Sequence, residues 1–176
     1  MARKLRIEYE GAFYHIITRG NTRSRIFKCD SDRLKFIEYL SEVHKKYGVI
    51  IHAYCLMGNH YHLLLETPYG NLRKAMHKLN TSYTNYYNYK HDRIGHLFSG
   101  RYKAILVEKE NYALVLSSYI HLNPLRADIV KNISDYSWSS YKYYISNCKK
   151  PDFLDTKMIL NLYGNSREDY IKYVES

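Results

Sequence analysis

Val49-Ile50-Ile51-His52-Ala53-Tyr54-Cys55-Leu56-Met57-Gly58-Asn59-His60-Tyr61-His62-Leu63-Leu64-Leu65-Glu66-Thr67 is the stretch that decides the fold. Two apolar runs rich in β-branched and aromatic residues flank a short link, Met57-Gly58-Asn59, and so tight a connection makes them an antiparallel hairpin. The second run, His60 to Thr67, carries two histidines one residue apart. On a helix their side chains would point about 200° apart. On a strand they share a face, roughly 6.5–7 Å apart, and two imidazoles there can converge on one divalent cation. Chance alone supplies roughly 0.45 of a His-x-His pattern in a chain of this length and histidine content, so the pair needs a partner elsewhere in the sequence.

The flanking segments complete a pattern. Upstream, Ala12 to Thr18 is a strand by composition, and Arg19-Gly20-Asn21-Thr22-Arg23-Ser24-Arg25 after it is a polar, arginine-rich loop. Asp30 or Ser31 caps a helix through Tyr47, with Leu34, Ile37, Leu40 and Val43 at helical spacing and Gly48 as its stop. Downstream, Asn71 to Tyr89 reads as a helix with Leu72, Ala75, Met76, Leu79 and Tyr83 on one stripe. Lys90 to Gly100 is a basic loop and Tyr102 to Glu108 a fourth strand. Asn111 caps a further helix holding Leu114, Val115, Leu116, Tyr119 and Ile120. The order βαββαβα predicts an α+β fold, a ferredoxin-like split βαβ antiparallel sheet with added helices. Pro151 marks a boundary between a domain at 1–150 and a helical C-terminal tail at 151–176, with short amphipathic stretches near Asp155–Tyr163 and Ser166–Val174.

Composition narrows the partners. A net charge of +10 over 176 residues favours a polyanion, and nucleic acid is the commonest one. The three cysteines form no C-x-x-C, which argues against a disulfide framework or a cysteine zinc site and fits a reducing cytoplasm. No run approaches the ~18 apolar residues of a membrane span, so the expected location is cytoplasmic. With 21 tyrosines, any one of them needs context before it is read as more than packing.

Tyr119 has that context. The predicted topology lets its helix pack beside the strand bearing His60 and His62, and Asn123 lies one turn further along the same face. A histidine pair, a tyrosine and an amide make a phosphoryl-transfer constellation. The metal, Mg²⁺ or Mn²⁺, would be held by His60, His62 and Asn123 and polarise a phosphate oxygen, and the Tyr119 hydroxyl would attack phosphorus. Asn123 also precedes Pro124, and that pair could instead begin a short helix from Pro124 to Ile129. Glu66 lies about 13 Å beyond His62 along the strand, too far to join them. His15, on the first strand, either sits beside the pair or is a satisfied core histidine, the second being the favoured reading, and His121 should point away from Tyr119. The basic candidates for phosphate contacts are Arg19, Arg23 and Arg25, with Asn21 in the same loop, then Arg93, Arg101, Lys103 and Arg126. Tyr83, Tyr86 and Tyr87 could stack unpaired bases, though helical spacing favours packing.

Four segments taken together resemble a known family: Tyr14-His15-Ile16-Ile17-Thr18-Arg19-Gly20-Asn21, Met57-Gly58-Asn59-His60-Tyr61-His62-Leu63-Leu64, Gly95-His96-Leu97-Phe98-Ser99-Gly100-Arg101-Tyr102-Lys103, and Tyr119-Ile120-His121-Leu122-Asn123-Pro124-Leu125-Arg126-Ala127. They look like the successive motifs of single-tyrosine HUH transposases, nearest the branch called REP-associated tyrosine transposases. Trp138-Ser139-Ser140-Tyr141 resembles a segment that follows the core in that branch. The resemblance implies an HUH endonuclease domain that cleaves and rejoins single-stranded DNA next to hairpins. Tyr119 would form a 5′-phosphotyrosine and His60 and His62 would hold the divalent metal, with Asn123 where relatives carry a polar ligand. Hairpin-bearing single-stranded DNA is then the expected partner, with a second copy of the chain as a further candidate. Two other readings stay open at this level: a hairpin-DNA-binding protein without catalysis, and a metal-dependent nuclease that uses water.

Overall fold

The computed structural model describes residues 6–108 and 110–176. Strand β1 (Ala12–Arg19) leads through a 3-10 turn at Asn21–Arg23 to helix α1 (Asp30–Tyr47). The hairpin β2 (Ile50–Leu56) and β3 (His60–Thr67) follows, then α2 (Leu72–Lys90), β4 (Lys103–Val107) and α3 (Glu110–Arg126). Three shorter helices close the described chain: α4 (Tyr141–Ile145), α5 (Lys157–Asn161) and α6 (Arg167–Glu175). The capping role expected of Asn111 concerns a side chain outside the described residues.

The four strands form one sheet in the order β2-β3-β1-β4, with every neighbouring pair antiparallel. This is the split βαβ arrangement expected from the sequence. Strand alternation gives the sheet two faces. Tyr14, Ile16, Tyr54, Tyr61, Leu63 and Leu65 pack with residues of α1 and α2, such as Phe36, Leu40, Met76 and Tyr83. Ala53, Cys55, Leu64 and Val107 pack on the opposite face with Ala113, Leu116 and Ile120 of α3. His60 and His62 alternate with the fully buried Tyr61, so they lie on the α3 side.

Two glycines are required by the backbone. Gly48 ends α1 at φ 67°, in the left-handed region. At Gly20 an added Cβ would lie 2.1 Å from the Ser24 carbonyl oxygen, so the arginine-rich loop can fold back only over a bare backbone. That loop is tied down on both sides. Gly20 N–H donates to the Asn59 carbonyl and Ile26 N–H to that of Gly58, while Asn21 N–H donates to Leu97. Tyr83 and Tyr87 are fully buried, and their hydroxyls donate to the carbonyls of Ile26 and Arg25. These two tyrosines therefore hold the loop in place and cannot stack bases.

The α1 N-terminus differs from expectation. Cys29 is the N-cap, and the buried Asp32 carboxylate accepts from the Lys28 and Cys29 N–H groups. Helix α3 continues through Pro124 to Arg126, so no separate helix begins at Pro124. Beyond Pro151, Leu154 bridges Ile51 in parallel at the edge of β2.

Candidate active site

The histidine pair stands at the end of the sheet where three loops meet. Arg19 pairs with His60 and Ile17 with His62 across β1 and β3, and the Gly20–Asn59 and Ser99–Arg19 backbone bonds bring the 20–25 and 95–101 loops to the same end. The His60 and His62 rings have centroids 5.0 Å apart at a steep angle. Each Nδ1 is occupied. That of His60 donates to Asn59 Oδ1 at 2.6 Å, and that of His62 lies 2.9 Å from His15 Nε2. Neither Nε2 has a hydrogen-bond partner among the described residues, so both nitrogens are open to an outside ligand.

Electrostatics keep these rings neutral. Burial lowers His60 to about 4, helped by the Arg19 guanidinium. Burial also lowers His62 to about 3, with the like-charged forms of His60 and His15 adding to it. A neutral imidazole is the form that binds a metal. The donor set therefore fits a divalent cation held by two nitrogens with further positions for oxygen ligands.

Tyr119 projects from α3 onto this site. Its ring centroid is 5.9 Å from that of His62 and 6.0 Å from that of His15, edge-on to both. The side is open, for Tyr119 is 37% exposed, and the Arg126 guanidinium lies 5.2 Å from its ring centroid. Asn123 donates from Nδ2 to the Tyr119 carbonyl at 2.8 Å, which leaves its Oδ1 uncommitted. His121 points away into a sealed pocket, as expected, with Nδ1 bonded to the Tyr170 hydroxyl and Nε2 to Ser140 Oγ. Glu66, at the far end of β3, is held by His52 at 2.8 Å.

Of the two readings of His15, the structure takes the less favoured one and sets it beside the pair. It is buried, yet its partner is a histidine of the site rather than the core, and its ring stacks on that of His62 at 5.2 Å. Asn59 was missed, although it adjoins the pair in sequence. The signal for Asn59 was there to find, because a histidine ligand needs an acceptor at its second nitrogen.

The basic candidates divide into groups. Arg19 and Arg126 border the histidines and tyrosine. Asn21, Arg101 and Lys103 line a hollow of about 650 Å³ together with Arg6, His96 and Phe98. Arg23 and Arg25 are exposed on the loop between. A second set of potential metal ligands, Cys29, Asp32 and His91, has donor atoms within 4.8 Å of one another. The Lys90 ammonium already stands among them, 2.8 Å from Asp32 Oδ1 and 3.2 Å from Cys29 Sγ. Burial opposes ionisation of Asp32, but Lys90, the Lys28 N–H and His91 together hold its carboxyl at about 2. This group locks α1 to α2.

No helix among the described residues is long and apolar enough to cross a membrane. No curated protein matches the chain significantly. Among solved structures it is similar to a REP-associated tyrosine transposase bound to a REP hairpin, at 16% identity and TM-score 0.72, over 89% of this chain and 93% of that one. That likeness establishes the fold. A candidate transposase from Deinococcus radiodurans R1 matches at 19% identity and TM-score 0.47, over 65% of this chain and 93% of that one. The model of the IS200-like transposase family matches residues 8–123, a span that holds His15, His60, His62 and Tyr119 and ends at Asn123. With well over half of its length matched, the chain belongs to the family of IS200-like transposases, proteins that act on DNA.

Proposed function

We propose that the chain is a metal-dependent transposase that cleaves and rejoins single-stranded DNA next to hairpins through a 5′-phosphotyrosine on Tyr119. The observation that carries this reading is the edge-on packing of the exposed Tyr119 ring against His62 and His15, with centroids 5.9 and 6.0 Å apart, beside the open Nε2 of His62. The residues 1–150 would hold the machinery and 151–176 would buttress it, through contacts such as Tyr170 on His121.

A divalent cation, Mg²⁺ or Mn²⁺, held by His60, His62 and Asn123 Oδ1, would polarise the scissile phosphate and neutralise charge built up in the transition state. The chain's own residues supply the rest. Tyr119 Oη forms a bond to phosphorus while the bond from phosphorus to O3′ breaks. The phenol's proton is lost, the departing O3′ gains one, and the 5′ phosphate stays on the tyrosine. Attack by a second 3′-hydroxyl reverses these steps and joins the strands. Arg126, stacked over the Tyr119 ring, is placed to steady both the ring and a phosphate. Arg19, Asn21, Arg23, Arg25, Arg101 and Lys103 surround the same end of the sheet and would track the backbone of a strand. A REP hairpin is what the structurally similar transposase holds, which supports hairpin DNA as the partner here.

The test is a denaturing gel of the protein incubated with labelled single-stranded hairpin DNA and Mg²⁺ or Mn²⁺. A covalent protein–DNA band supports the tyrosine route. Cleaved DNA without an adduct would replace it with a water-using nuclease, and a shift without cleavage would replace it with a binding protein.

A further inference from the structure

We infer that His15 is a positioning residue of the site: its Nε2 accepts a hydrogen bond from His62 Nδ1–H and thereby holds His62 in the tautomer whose Nε2 lone pair faces outward. This rests on the reading of His60 and His62 as metal ligands.

The two histidines of the pair are held differently. His60 Nδ1 meets Asn59 Oδ1 at 2.6 Å, and a carbonyl oxygen can only accept, so His60 must carry its proton on Nδ1. His62 Nδ1 meets an imidazole nitrogen instead, His15 Nε2 at 2.9 Å, and a neutral imidazole nitrogen can donate or accept. Only one of the two arrangements leaves His62 Nε2 with a lone pair. In that arrangement His15 carries its own proton on Nδ1. The orientation is fixed sterically as well. His15 lies diagonally across β1 from His62, paired in register with Leu64, and its ring is nearly parallel to that of His62, with an interplanar angle of 23°. The Tyr119 ring closes edge-on against His15 at 6.0 Å, so one buried residue touches both the ligand and the attacking side chain. A histidine placed only to fill the core would satisfy its nitrogens on backbone or hydroxyl groups, as His121 does.

Two substitutions separate positioning from packing. His15→Gln can present Oε1 near the place of Nε2, an acceptor with no ambiguity. His15→Leu fills similar volume but accepts nothing. The readouts are Mn²⁺ affinity of the whole chain without DNA, by electron paramagnetic resonance of free Mn²⁺, and the His62 tautomer in the metal-free protein, by imidazole nitrogen NMR. Loss of an orienting partner of this kind lowers metal affinity by about 10–100-fold. His15→Leu should show that loss and a mixed His62 tautomer. His15→Gln should keep the Nδ1–H tautomer and stay within about threefold of the parent. Equal weakening by both variants, or an unchanged tautomer and affinity in His15→Leu, overturns the inference. A parent His62 found with its proton on Nε2 also overturns it. If the parent binds no Mn²⁺, or binds it equally after His60→Ala, the metal reading itself fails, and the tautomer measurement still decides the role of His15.

Discussion

His62 and His121 are both buried, both lie among aromatic rings and both are held neutral, each with burial as the first cause and a value of about 3. Their uses are opposite. His121 spends both nitrogens inside the protein, on the Tyr170 hydroxyl and Ser140 Oγ, each at 2.7 Å. Tyr170 also donates to Ser117 Oγ, so the group is closed on itself and ties α6 to α3. His62 spends one nitrogen on His15 and leaves the other open beside an exposed tyrosine. Burial and a depressed pKa are therefore common to a structural and a candidate catalytic histidine. The count of nitrogens left over distinguishes them.

The largest effect should come from the open side. His62→Ala or His60→Ala should reduce cleavage of hairpin DNA to background, while the unfolding midpoint stays within about 3 °C of the parent. Normal cleavage by either variant in Mg²⁺ or Mn²⁺ would erase the distinction, and collapse of the fold would move the pair to the structural side of the comparison.

His121→Leu should do the reverse. It takes one hydrogen bond, worth about 0.5–1.5 kcal/mol net, from each of the buried Tyr170 and Ser140 hydroxyls and leaves them Ser117 and the Tyr54 backbone, so a stability loss of about 1–3 kcal/mol is expected in denaturant unfolding. The specific activity of the remaining folded protein should hold. An unchanged stability would mean that the sealed group does not tie the tail to the core.

A pH series sharpens the same point. A histidine that is neutral in the fold down to about 3 or 4 takes up its proton near 6.5 once unfolded. Between these values the unfolded state binds more protons, so stability is present above about 6.5 and is lost as pH falls toward 3. Each such group contributes at most about 1.4 kcal/mol per pH unit. His121→Leu should lower this slope between pH 4 and 6. A slope equal to the parent's would show that His121 does not titrate as its surroundings dictate. The smallest effect belongs to Tyr112, half exposed and one helical repeat before Tyr119 on α3. Tyr112→Phe should alter neither adduct yield nor stability.

The legible parts of the molecule are those set by local pattern. The strand alternation around Tyr61 and the short Met57-Gly58-Asn59 link specified the hairpin, and Gly48 marked the end of α1 where its backbone turns left-handed. The order of elements specified the sheet. What the sequence hid depends on pairs far apart in the chain. His15 meets His62 across 47 positions and Lys90 meets Asp32 across 58, and neither separation leaves a periodic trace. Helices near 155–163 and 166–174 were foreseeable from their amphipathic stretches, but the bond from Tyr170 to His121 was not. Tyr119 was singled out by its motif and its distance from Asn123, since composition alone sets it among 21 equals.

The central claim is that Tyr119, beside an open histidine pair, is the nucleophile. Peptide mapping of the trapped protein–DNA adduct tests it most directly, with Tyr119→Phe run in parallel. That change removes one oxygen and keeps the ring against His15 and His62, so folding and hairpin binding should persist. The account predicts a nucleotide on the peptide containing Tyr119 in the parent and no adduct or cleavage in Tyr119→Phe. A nucleotide on any other tyrosine, or cleavage by Tyr119→Phe at the parent rate, would contradict it.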